Sequence, residues 1–334
     1  MCLVSGFSGE HPVPLIDAAA VAPYPLAADL QLNGVWLSDA SDQVVIGMQK
    51  YDFSCAELTT EFEFRVRDIR CAAKVITFCD RVEPTLVCQE ISLEFNAPCA
   101  FALRAIIDGG VINGRSLRYL RETPGEKEPA CDGALLWQSC GGHSTCGMAY
   151  STEVAGAGEA KRHRPPLDGC RLWTDYNFRV RAGRRYRLRQ IVSVVLSQLH
   201  SQPDYQAIRL VALARRRGFK TIRKENRSVW ADLWKGRINL VGAPGRTQQL
   251  ADAAFFYLIS STHTASPAST SIFGLATWHD YHYYYGHVMW DIETFISPVL
   301  SMLQPGAAES ILDYQSRNLS SAAAAGEVIR TMHV

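Results

Sequence analysis

The sequence has no excess of either charge: 34 Lys and Arg residues against 33 Asp and Glu leave a net charge of +1. That balance removes the electrostatic reason to expect nucleic acid or an anionic membrane as a partner. Met1 to Gly9 lack a basic n-region and an apolar h-region, and no apolar run approaches the length of a membrane span. These lacks predict a soluble, cytoplasmic protein with no membrane contact. No cysteine follows Cys170, and the ten up to that point include no C-x-x-C pair. Without a secretory signal they read as thiols, not as a disulfide framework. Cys140, His143 and Cys146 form a short cluster with no second ligand pair, which reads as a loop and not as a metal site. Neither G-x-G-x-x-G after a strand nor G-x-x-x-x-G-K-[ST] occurs, so no organic cofactor is expected.

What is present is a chain of 334 residues, 47% hydrophobic and 20% charged, long enough for two or more globular domains. Residues 1–202 read as β. Leu58, Thr60, Phe62, Phe64 and Val66 alternate with polar neighbours, as do Val87 to Phe95 and Phe101 to Ile107. Tyr186, Leu188, Gln190, Val192, Val194 and Leu196 form a longer alternating run after a turn at Ala182-Gly183-Arg184. Many such strands predict a large antiparallel β-sandwich. The segments Glu122–Glu128 and Ser151–Pro166 read as loops or insertions.

From Pro203 the period becomes helical. Ala207, Leu210, Val211 and Ala214 recur on one face and Gly218 stops them; Trp230, Leu233, Trp234 and Ile238 make a second stripe. The basic residues Arg215, Arg216, Arg217, Lys220, Arg223, Lys224 and Arg227 are expected to spread round the helix as a solvated linker. A third helix is expected with Thr247 as its N-cap, and another from Pro305 to about Asn318. The reading is a sandwich at 1–202, a helical linker at 203–243 and an all-α segment at 244–334.

Residues 278–295 mix aromatic and titratable side chains more densely than any other stretch. They hold Trp278, His279, Asp280, His282, His287, Trp290, Asp291, Glu293 and the tyrosines 281, 283, 284 and 285. Flat rings beside carboxylates suit a sugar, because rings cover its C–H faces and carboxylates accept from its hydroxyls. A helix starting near Gly286 would carry Trp290 and Asp291 in its first turns. The spacing of His279, His282 and His287 is not a recognised ligand pattern, so no metal is assigned.

Gly286-His287-x-x-Trp290-Asp291-x-Glu293-x-Phe295, followed by Pro298, resembles the G-H-x-x-W-D-x-E-x-F signature of glycoside hydrolase family 65. That family contains maltose, trehalose and kojibiose phosphorylases and related α-glucoside hydrolases. The resemblance implies an N-terminal β-sandwich, a helical linker and the start of an (α/α)6 barrel. It implies that Trp290 and Asp291 contact the glucose at the cleavage point and that His287 lines the pocket. Glu293 is either a second sugar contact or a first-turn acid that steadies its helix. The family's general acid lies well downstream of the Trp-Asp pair, so it is expected beyond Val334 and no catalytic residue is assigned. The expected activity is inverting hydrolysis of an α-linked glucoside disaccharide or oligosaccharide, the approach His282–Tyr285 looking more hydrolase-like. The alternatives are a disaccharide phosphorylase, with inorganic phosphate as co-substrate, and a non-catalytic carbohydrate-binding remnant. Dimerisation, known among related enzymes, is an expectation by analogy.

Overall fold

The computed structural model describes residues 2–11, 16–121, 130–158, 160–164, 170–271, 274 and 283–332. Among the described residues fifteen strands come first: β1 (Cys2–Glu10), β2 (Asp17–Ala22), β3 (Tyr24–Leu32), β4 (Val35–Trp36), β5 (Val44–Asp52), β6 (Glu57–Val66), β7 (Ile69–Cys79) and β8 (Leu86–Phe95), then β9 (Cys99–Asp108), β10 (Gly114–Arg121), β11 (Gly133–Ser139), β12 (Thr145–Ala155), β13 (Lys161–His163), β14 (Arg171–Val180) and β15 (Arg185–Leu196). Helices follow: α1 (Pro203–Arg217), α2 (Phe219–Leu233), α3 (Gly245–Ser261), α4 (Ser297–Leu303) and α5 (Pro305–Met332). The chain divides into two compact units, one of Met1–Cys2 with Val21–Lys235, the other of Leu3–Ala20 with Gly236–Val334.

The first unit is a sandwich of an eight-stranded sheet, order β10-β11-β12-β15-β8-β7-β6-β5, and a five-stranded sheet, order β13-β14-β9-β3-β4. The paired strands in both run antiparallel. The period of two in β15 sends Tyr186, Leu188, Gln190 and Val192 into the interior, while Arg185, Arg187 and Arg189 take the outer face. Polar cross-links stitch the two sheets together. Tyr150 on β12 and Thr174 on β14 share a hydrogen bond of 2.8 Å, and the Tyr176 hydroxyl donates to buried Asp132 at 2.8 Å.

Helices α1 and α2 cover part of the outer face of the eight-stranded sheet. Ala207 and Val211 pack with Ala149 and Val195, and Phe219 and Ile222 pack with Phe78, Leu86, Cys88 and Ile191. Each such large apolar side chain, fully buried, contributes roughly 1.5–3 kcal/mol. Arg118 on β10 holds buried Asp204 in the first turn of α1 with two hydrogen bonds of 2.7 and 2.8 Å. Gly147 on β12 makes the close approach of that turn feasible, since a Cβ there would lie 2.0 Å from the Asp204 nitrogen. Asn226 on α2, fully buried, accepts from the Arg81 amide at 2.9 Å and donates to the Cys55 carbonyl at 3.4 Å.

The structure corrects several local expectations. Ser151–Ala155 are not loop but the end of β12, whose ladder with β15 runs out to Ala155. Thr247 is not an N-cap: α3 begins at Gly245 after Pro244, and the Thr247 amide donates to the Pro244 carbonyl at 2.9 Å, so it sits inside the first turn. The stripe assigned to Trp230–Ile238 ends early, because α2 stops at Leu233 and Ile238 is exposed. Helix α5 extends past Asn318 to Met332, its alanine run continuing the helix. Arg223 and Arg227 are not solvated linker residues, since both are bound to Glu57 on β6.

In the second unit, Ile292, Ile296, Leu300, Ala308 and Ile311 pack with Leu258 of α3. The loop of small polar residues read at 264–277 is buried at Ala268, Ser269, Thr270 and Ser271. It is tied to α5, where Ser310 donates to the Ser266 carbonyl at 2.7 Å and Arg317 to the Pro267 carbonyl at 3.0 Å.

Candidate functional site

Trp278, His279, Asp280, Tyr281 and His282 lie outside the described residues. The remainder of the motif begins with a single 3-10 turn, Tyr283–Gly286. Two successive left-handed residues, Tyr285 at φ 54 and Gly286 at φ 76, end it. Three residues without regular structure and a turn at Trp290 follow, and the helix starts at Asp291, five residues later than the expectation of a start near Gly286. The reason lies in Gly286, whose positive φ belongs to a turn and not to a right-handed helix.

Ile292–Ile296 form a π-helical turn that runs directly into α4. Pro298 explains the local loosening, because it brings no amide donor to the ladder. The Thr294 amide donates to the Trp290 carbonyl at 3.2 Å, so the first turn is closed behind the Trp-Asp pair. Trp290 is 65% exposed and Phe295 60% exposed, their rings tilted together at 6.2 Å between centroids. Asp291, next to that pair at the head of the helix, accepts no hydrogen bond from the described residues.

His287 and Glu293 have intramolecular partners. The His287 ring nitrogen Nε2 meets the Asp17 carbonyl on β2, and Gln315 on α5 donates to Glu293. The hairpin of β1 and β2 holds the motif at further points: His11 meets Tyr285 edge-to-face at 5.0 Å, and Ser5 bonds Ser266 at 3.0 Å. Sequence reasoning missed this hairpin as part of the site, since nothing local in residues 3–20 signals contact with a segment some 270 positions away. Among the described residues no group of three His, Cys, Asp or Glu side chains is arranged to hold a metal ion. No helix among them is long and apolar enough to cross a membrane.

The hairpin contact gives a direct test. A Cβ on Gly286 would stand 2.5 Å from the Ala19 Cβ, on a backbone at φ 76. Gly286→Ala is therefore expected to cost about 1–3 kcal/mol, read as a lower denaturation midpoint. An unchanged midpoint would show that hairpin and motif are not packed as described.

Residues 19–233 match the model of the glycosyl hydrolase family 65 N-terminal domain, and residues 277–330 match that of the family's central catalytic domain. A kojibiose hydrolase of Mucilaginibacter mallensis is 30% identical over 141 residues, 42% of this chain and 20% of that protein. An uncharacterized glycosyl hydrolase of Mycobacterium tuberculosis is 26% identical over 305 residues, 87% of this chain and 22% of that protein. The chain thus spans about a fifth of the length of these curated relatives. A solved structure from the human microbiome, assigned as a kojibiose phosphorylase, superposes with a TM-score of 0.76 at 15% identity, covering 94% of this chain and 42% of that one. At that identity the likeness establishes the fold alone: a β-sandwich followed by a helical domain. With its sandwich and its Trp-Asp segment each matched independently, the chain belongs to glycosyl hydrolase family 65.

Proposed function

We propose that the segment from Gly286 to Pro298 grips the terminal glucose of an α-linked glucoside, and that the protein hydrolyses that linkage with inversion. One observation carries this reading: the exposed indole of Trp290 adjoins a carboxylate, Asp291, that has no hydrogen-bond partner among the described residues. An aromatic face beside a free acceptor offers both halves of sugar recognition. Asp291 takes hydroxyl hydrogen bonds and Trp290 covers the apolar face, so binding energy goes into orienting and distorting the ring. His287 borders the sugar while Asp17 orients its imidazole, and Glu293, held by Gln315, steadies the first turn. Inversion further requires a carboxylic acid to protonate the leaving oxygen and a second carboxylate to activate water on the opposite face. Neither role is assigned to the described residues. Residues 244–334 are then the first part of an (α/α)6 barrel.

Hydrolysis is preferred because curated kojibiose hydrolases match at 30% and 29% identity. A phosphorylase would use the same glucose grip, with inorganic phosphate in place of water. The test is an assay of the chain on kojibiose, trehalose, nigerose and maltose, with and without phosphate. Glucose released independently of phosphate is the expected result for the protein with its general acid in place. Glucose 1-phosphate formed only with phosphate would replace the hydrolase by the phosphorylase. Saturable sugar binding without turnover would leave a carbohydrate-binding protein, and no binding of any of the four would overturn the sugar site.

A further inference from the structure

Lys220, Arg223, Lys224 and Arg227 are spaced i, i+3, i+4 and i+7, which places them on one face of α2 and not round it. They lie beside the stripe of Phe219, Ile222, Asn226 and Trp230, which is buried against the sandwich. Across from them, β15 presents Arg187 and Arg189 on the outer face of the sheet. Helix and strand together line an open cleft of 490 Å³ whose walls are these six cations, Phe219 and a single carboxylate, Glu90.

The cations are of two kinds. Arg223 and Arg227 both bind Glu57, and Arg189 lies against the Phe219 ring while it bonds Glu90 at 2.7 Å. Those three are spoken for. Arg187, Lys220 and Lys224 have no carboxylate within ion-pair distance among the described residues. Strand register explains the case of Arg187: its cross-strand neighbours are Ser92 on β8 and Ala155 on β12, whereas Arg185 and Arg189 face Glu94 and Glu90. Like charges at i, i+4, such as Lys220 and Lys224, weaken a helix. A cleft walled by one sign of charge also concentrates counter-ions of the other sign.

We propose that this cleft is an anion site that takes a phosphate dianion, free or as the monoester of a molecule about the size of a hexose. Three uncommitted cations match the charge of a dianion with one to spare. Arg187 supplies a planar fork for two phosphate oxygens, and Lys220 and Lys224 supply point charges from the other wall. The volume lies within the range of small-molecule pockets and exceeds what phosphate alone fills.

The test is calorimetric titration of the 334-residue chain with inorganic phosphate and with glucose 6-phosphate at constant ionic strength. One saturable site is expected for at least one of them, weakened about tenfold or more in Lys220→Gln/Lys224→Gln and in Arg187→Gln. The control pair Lys50→Gln/Lys235→Gln removes the same charge from exposed positions elsewhere and is expected to bind as the parent does. Tighter binding of the ester identifies an organic phosphate as ligand, and equal binding identifies the free anion. Equal weakening in the control pair would reduce the effect to net charge and overturn the proposal. So would an absence of saturable binding, or intact binding in both groove variants. Unchanged near-ultraviolet circular dichroism in each variant keeps folding out of the comparison.

Discussion

On the proposed glucoside substrate, Asp291→Asn is expected to lower kcat/KM roughly a hundredfold, or about 2.7 kcal/mol at 1.36 kcal/mol per decade. Asparagine preserves the shape of the side chain and removes its charge, and a hydrogen bond to a charged group is worth about 1.5–3 kcal/mol. The bonds from sugar hydroxyls tighten as positive charge develops on the ring, so the loss should fall mainly on kcat. Equilibrium binding of glucose measured in parallel separates the two: uniform ground-state contact would raise KM and leave kcat alone. The variant should fold normally, because the Asp291 side chain makes no cap or ion pair in the described structure. A kcat/KM within about threefold of the parent would remove Asp291 from the proposed sugar site.

How much of this was legible in the sequence depends on the range over which each cause acts. Strand alternation is local, and Tyr186 to Leu196 could be read directly as one long strand with a buried face. The Trp-Asp segment was legible because its residue types and spacing are unusual together. Helix starts were less so. The start near Gly286 was misplaced because a glycine that breaks an aromatic run can precede a helix or, as here with φ 76, close a turn that does not lead directly into one. The contacts of His287 with Asp17 and of Glu57 with Arg223 and Arg227 were invisible, since they join residues more than 160 positions apart. The basic residues of α2 misled for the same reason: their partner, Glu57, sits on a strand whose polar residues look solvent-facing in sequence.

That last cluster predicts the largest effect on stability. Glu57 has a side chain only 4% exposed, and each of its oxygens receives a guanidinium hydrogen bond from Arg223 and from Arg227, at 2.6–2.8 Å. Burial alone would raise its pKa, but the two arginines outweigh burial and hold the carboxyl at about 2 against an ordinary 4.5. Truncating it leaves two cations beside a buried surface with no counter-charge. Glu57→Ala is therefore expected to cost about 3–4 kcal/mol near neutral pH, at the level of a broken buried ion pair and somewhat relieved by the half-exposed Arg227. The pH dependence follows from linkage. A depressed folded pKa means that the unfolded chain takes up the proton first, so this stabilisation is complete above about 4.5 and is lost as pH falls toward 2. Denaturation midpoints of the parent and of Glu57→Gln should thus lie far apart at neutral pH and converge in that acid window. A gap that stayed constant down to pH 2 would mean that the arginines do not hold the carboxylate, and that α2 is fixed to the sandwich by Asn226 and its apolar stripe alone.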